Sequence, residues 1–285
     1  MNNDWMLFLY QILPFEFLSY PFMRQALIAI LLLTPLLGLM GTMAVNQRMA
    51  FFSDALGHSA LTGIGIGILL NVNQLTTMLI FGVLWALLIS HIKQTGKSSA
   101  DTVISVFSST SVALGLIILS KGGGFARYSS LLVGDILTIS KSDLWGLLIA
   151  LLLGVFLWGL IYNRLLLSSI NGPLARSRGV STRIIEGVFV ILIAVSVMLA
   201  IRWVGILLIN ALLILPAAAG RNFAKSSRAH AGFSVLIAIT SGVAGLILSY
   251  YLNTSAGATI VLCAALWYFL SLAVSTLSLR RQKNH

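Results

Sequence analysis

Leu144-Trp-Gly-Leu-Leu-Ile-Ala-Leu-Leu-Leu-Gly-Val-Phe-Leu-Trp-Gly-Leu-Ile-Tyr-Asn163 contains no charged side chain. A helix that crosses the hydrocarbon core needs ~20 mainly apolar residues, and this run supplies them. Further charge-free runs cover 25–47, 59–90, 102–120, 187–201, 203–220 and 231–279. Two of them are long enough for a pair of crossings, broken at Asn71-Val-Asn-Gln74 and at Asn253-Thr-Ser-Ala-Gly257. Nine candidate segments follow, near 21–45, 54–70, 75–92, 99–120, 142–163, 184–201, 203–220, 231–252 and 257–279. The expected fold is all-α and polytopic, a single transmembrane domain over 1–285 with eight or nine helices. The lower count allows for 54–70, which is short and glycine-rich, and for 184–201 and 203–220, which only Arg202 separates.

Composition leads to the same class. Hydrophobic residues make up 58% of the 285 and charged residues 9%, where a soluble domain carries roughly 25% charged residues. Such a chain could not cover its surface in water, so the bilayer is its solvent. Asp4 and Glu16 interrupt the N-terminus, which does not have the basic start and short apolar core of a cleavable signal peptide. The single Cys263 lies in an apolar run and offers neither a disulfide framework nor a thiolate metal site.

The net charge of +11 does not indicate nucleic acid, because the cations sit in short loops between apolar runs. That distribution follows the positive-inside rule. With nine crossings and a cytoplasmic C-terminus, 13 basic residues fall inside and 5 outside (Arg24, Lys121, Arg127, Lys141 and Arg202). The expected C-terminus is therefore cytoplasmic. Residues 1–20, with the aromatic stretch from Trp5 to Tyr20, are expected to form an interfacial helix on the outer side.

One stretch carries chemistry: Met49-Ala-Phe-Phe-Ser-Asp-Ala-Leu-Gly-His-Ser-Ala-Leu-Thr-Gly63. Asp54 and His58 are four apart, so on a helix they share a face one turn from each other. A carboxylate with an imidazole suits a divalent first-row cation such as zinc, manganese or iron. An ionisable group at the head of an apolar segment is expensive unless it faces a polar cavity. The alternative is a Ser53-Asp54 helix cap with His58 in an interfacial loop.

This stretch resembles the signature of the metal-cation permease family of ABC importers, in the pattern Phe-x-Asp-Ala-x-x-His-Ser/Ala-x-Leu-x-Gly from Phe52 to Gly63. Gly172-Pro-Leu-Ala-Arg-Ser-Arg-Gly-Val-Ser-Thr182 is similar to that family's cytoplasmic coupling segment. Val204-Gly-Ile-Leu-Leu-Ile-Asn-Ala-Leu-Leu-Ile-Leu-Pro-Ala-Ala218 is similar to a third family segment, and the three occur in the family's order. One departure is Thr62, where many members have Pro. The resemblance implies that Asp54 and His58 hold a transported zinc, manganese or iron ion. It also implies a homodimer of permeases, a separate ABC ATPase subunit that uses the ATP, and an extracytoplasmic metal-binding protein. The setting it implies is the cytoplasmic (inner) membrane of a prokaryote.

The coupling segment has physical sense of its own. Gly172-Pro173 ends the preceding helix, and a short helix can start at Leu174, run through Ala175, Arg176 and Arg178, and stop near Gly179. Lying across the membrane face, it offers a separate ATPase something to grip; an ordinary connecting loop with stop-transfer arginines is the alternative. Gly96-Lys97-Ser98 looks like the tail of a phosphate-binding loop, but the required first glycine is His91 and a membrane span precedes it. Any ATP is thus expected to be hydrolysed by a partner.

Other polar residues carry weaker signals. Asn210 either lines a pathway or, as such residues more often do, bonds to a neighbouring helix. Asp101, Asp135, Asp143 and Glu186 lie near segment ends, where water solvates them. Ser108-Ser-Thr-Ser111 reads as a packing face, and His91 and His230 are assigned no metal role. His-Glu-x-x-His and Gly-x-Ser-x-Gly are absent, which argues against an enzyme. The reading is a permease subunit for a divalent transition metal, zinc first, and a gradient-driven secondary cation transporter or channel is the runner-up.

Overall fold

The computed structural model describes residues 16–96, 98–121 and 136–283, with side chains up to residue 277. No strand occurs among them. The helices are α1 (Pro21–Asn46), α2 (Phe52–Leu69), α3 (Gln74–Thr95), α4 (Ala100–Lys121), α5 (Lys141–Ile170), α6 (Gly172–Ser177), α7 (Thr182–Phe223), α8 (Ser227–Leu252) and α9 (Ala256–Lys283). In lipid every backbone N–H and C=O must be satisfied internally, so apolar runs of this length have little alternative to helix.

The helix ends follow local chemistry. Pro21 enters α1 in its first turn, where its missing N–H is not needed. Asn73 caps α3, its side chain accepting from Leu75 and Thr76. Ser140 and Asp143 form a reciprocal capping box at α5. Asn253, in the left-handed conformation at φ 51°, stops α8.

Seven of these helices are long and apolar enough to cross a membrane. Helix α2, with 18 residues and a length of about 27 Å, is not one of the seven. Helix α7 has 42 residues, enough for two crossings of the hydrocarbon core. It is two helices joined across Gly205, whose φ of 79° and ψ of 168° are not helical. The expected separator was Arg202, but Arg202 lies within the helix. A charged residue need not break a helix, whereas a positive φ does, and only glycine adopts that conformation cheaply.

Contacts along the helices show their directions. Gly63 meets Met78 and Gly67 meets Gln74, so α2 and α3 are antiparallel. Gly82 meets Met198, and Gln94 bonds to Glu186, so α3 and the first half of α7 are antiparallel. Gly57 then meets Ile206 while Asp54 meets Asn210, so the second half of α7 runs against α2. The chain therefore turns back at Gly205. Helices α1 and α8 are antiparallel through Gly38 with Ser234 and Gly242 with Ile30.

These directions sort the connections. One end holds the α3 C-terminus, α6 and the start of α7, around a cavity of about 610 Å³ lined by Gln94, Arg176, Arg183 and Glu186. At the other, Arg202 faces Val72, Asn73 and Gln74 across a cavity of about 500 Å³. The rings of Phe17 and Tyr20 lie against Tyr250 beside the α8 C-terminus. Of the expected interfacial helix, residues 1–15 lie outside the described residues. Glu16–Ser19 form a single 3-10 turn that buries Phe17 and Leu18. Fully buried Ile30, Leu37, Met40, Phe52 and Phe189 form part of the core between α1, α2 and α7.

Candidate metal centre

Asp54 and His58 stand on adjacent turns of α2, with Asp54 Oδ2 and His58 Nε2 3.4 Å apart. The capping alternative does not describe this helix. Its N-cap is Phe51, no side chain caps it, and His58 lies within the helix. Asp54 bonds across helices instead. Asn210 Nδ2 donates to Asp54 Oδ1 at 3.0 Å from the second half of α7. Ser108 Oγ donates to Asp54 Oδ2 at 3.4 Å from α4.

The pair is open on one side: the Asp54 side chain is 44% exposed and that of His58 27%. Two polar atoms beside the carboxylate, His58 Nδ1 and Asn210 Oδ1, are buried without a hydrogen-bond partner. Such groups are unusual in a finished core and are found where a ligand or a rearrangement completes the bonding. Among the described residues no three His, Cys, Asp or Glu side chains cluster. Among the described residues the pair thus supplies one carboxylate and one imidazole.

Asn210 makes the interhelical bond that was the favoured expectation for it, and it makes it to Asp54. Ser108 was missed, because fifty-four positions and an intervening helix separate it from Asp54 and a serine run reads equally well as packing. Asp143 does more than sit in interfacial water: it closes the α5 capping box and accepts from Trp203 Nε1 at 2.9 Å. Glu186 accepts from Gln94 at 3.0 Å. Asp135 lies outside the described residues. His230 is buried with Nε2 2.8 Å from the Ala217 carbonyl.

The segment expected to couple to an ATPase is a separate short helix, α6, which begins at Gly172 rather than at Leu174. Asn171 makes the difference, its side chain capping the Leu174 N–H. The helix ends where expected, with Gly179 at φ 74° and Val180 N–H bonded back to the Ala175 carbonyl at 2.9 Å. Ala175 is buried, whereas Leu174, Arg176 and Arg178 are exposed. Gly96 caps the C-terminus of α3, with no preceding strand, so it does not open a phosphate-binding loop.

The structure is that of a polytopic helical membrane protein with a partly open carboxylate–imidazole pair between its helices. The chain belongs to the ABC 3 transport family, whose profile matches residues 19–275, and it is a permease subunit of that family. It is 30% identical over 267 residues to the high-affinity zinc uptake system membrane protein ZnuB of Haemophilus influenzae, covering 90% of this chain and 97% of that one. It is 29% identical to the manganese import system permease protein ScaB of Streptococcus gordonii, covering 90% and 92%. Its fold matches a chain of PsaBC from Streptococcus pneumoniae, solved in complex with Fab, at a TM-score of 0.77 and 27% identity over 94% of both chains.

Proposed function

We propose that this permease imports a divalent transition metal, zinc before manganese or iron, and that Asp54 and His58 form its cargo site. The observation that carries the proposal is the Oδ2–Nε2 separation of 3.4 Å on one open helix face, braced from two other helices. The Asp54 carboxylate offsets the charge of the ion, neutral His58 supplies nitrogen, and together they replace part of its hydration. Relatives named for zinc uptake and for manganese import support the metal class.

Two donors are too few for a tightly held ion, and Asp54 is open on one side. A homodimer, with the site facing the second copy, doubles the donor set. An extracytoplasmic metal-binding protein delivers the ion, and a separate ABC ATPase subunit works on Gly172–Gly179. Arg176 and Arg178 are the exposed grips of that segment, and buried Ala175 is its anchor. Displacement of α6 passes directly into α7, whose far half carries Asn210 to Asp54. The arginine-rich end faces the cytoplasm of a prokaryotic cell, and the C-terminus lies on that side.

Reconstitution with the neighbouring operon products tests this reading. Uptake of zinc that needs ATP and is lost in Asp54→Asn supports it, and full uptake by this chain alone without nucleotide refutes it.

A further inference from the structure

Helix α5 runs past the membrane core at its C-terminal end. The charge-free residues 144–163 cover about 30 Å, the thickness of the hydrocarbon layer. Arg164 is the first charged residue beyond them, so it stands at the headgroup level. It shares two cavities with Arg178, the residue that ends α6. One, of about 390 Å³, is walled by Leu166, Leu167 and Ile170. The other, of about 330 Å³, takes in Ser181 at the start of α7, whose side chain makes no capping bond.

Two guanidinium groups around one space repel each other and call for an anion. The chain supplies none there: no acidic residue lines either cavity, and among the described residues neither arginine forms an ion pair. The adjacent cavity differs, since Arg176 and Arg183 share it with Glu186. The apolar wall narrows the kind of anion. A free phosphate gains nothing from Leu166, Leu167 and Ile170. A phospholipid sets its phosphate against the guanidinium forks and lays its acyl chains on apolar surface. That surface continues into the bilayer, because Leu153, Phe156 and Leu160 are exposed on the face of α5 that carries Arg164 and Leu167. Basic pockets between membrane helices hold anionic headgroups in this way.

We propose that Arg164 and Arg178 form a binding site for the phosphate headgroup of an anionic phospholipid, seated between the end of α5 and the turn after α6. The site is separate from Asp54 and His58 and does not depend on which metal is carried. Arg178 belongs to the segment read as the ATPase contact and Arg164 does not, so the lipid lies beside that docking face.

The test is native mass spectrometry of the full-length chain in detergent, titrated with phosphatidylglycerol or with zwitterionic phosphatidylcholine, and with inorganic phosphate as competitor. The wild type should bind phosphatidylglycerol at least roughly tenfold more tightly than phosphatidylcholine. Arg164→Gln and Arg178→Gln should each weaken that binding roughly fivefold, the contribution of one basic residue near a membrane surface. Lys225 is exposed and lines neither cavity, so Lys225→Gln should change binding less than about twofold. No preference for the anionic lipid, or an equal loss in Lys225→Gln, leaves only general surface charge and overturns the proposal. Displacement of the lipid by inorganic phosphate at comparable concentration overturns it in favour of a free-phosphate site. Full lipid binding in both arginine variants, with loss of ATPase assembly, makes the cavities a subunit contact and also overturns it. If Arg164→Gln does not insert, Arg178→Gln, in an exposed turn, decides by the same criteria. The readout involves no metal, so this site and the cargo site fail separately.

Discussion

Asn210 donates a 3.0 Å hydrogen bond to Asp54 across a gap of 156 positions, and it reaches that carboxylate only because the chain turns back at Gly205. The break in α7 and the Asp54–His58 turn of α2 are therefore one structural unit. Gly57 makes the approach possible, since a Cβ there would run into Ile206 Cγ2.

Asn210→Ala should cut zinc uptake roughly tenfold, the expected size for a lost hydrogen bond to a charged group. Uptake and thermal stability are measured together. If Asn210 is only interhelical glue, stability falls while zinc affinity stays at the wild-type value.

Gly41→Ala should destabilise the bundle without touching the site. A Cβ at Gly41 would collide with the Leu213 carbonyl, which is backbone and cannot swing aside. Overpacking of this kind costs about 1–3 kcal/mol. The check is the melting temperature in detergent, and a variant as stable as wild type contradicts the packing of α1 on α7.

Charge reversal of Arg176 and Arg178 should leave insertion intact and uncouple nucleotide hydrolysis from uptake. Gly179→Val should do the same more severely, because a β-branched residue at φ 74° strains the turn that ends α6 by about 1–2 kcal/mol. Uptake per ATP hydrolysed, in the reconstituted complex, is the readout. A wild-type ratio in both variants contradicts the coupling role of this helix.

Much of this was readable before the fold was known, because a bilayer makes length and charge decisive. Segment 21–45 became α1 and 231–252 became α8, with ends shifted by a few residues. Asp54 and His58 were legible because their pairing is local, four residues along one helix. What stayed hidden depends on where helices meet. Gly205 sits in an unbroken apolar run and reads like any small packing residue, so Arg202 drew attention instead. Ser108 looks like an ordinary polar residue in its own segment, and only the packing of α4 on α2 gives it Asp54 as a partner.

Orientation is tested by single cysteines at Arg178 and Lys225 in a Cys263→Ser background. Both positions lie at the end that holds α6 and the α7–α8 connection. They should resist impermeant thiol reagents applied to intact cells and react once the cells are opened. Rapid labelling from outside would reverse the topology.

The central claim is that Asp54 and His58 together hold the transported ion. The most direct measurement is ATP-dependent zinc uptake by the reconstituted complex carrying Asp54→Asn and His58→Ala together. Asp54→Asn keeps the shape and the contact with Asn210 but removes the charge, and His58→Ala removes the nitrogen donor. The account predicts that uptake falls to background while the variant inserts and still assembles with its ATPase. Near-normal uptake by the double variant would contradict it.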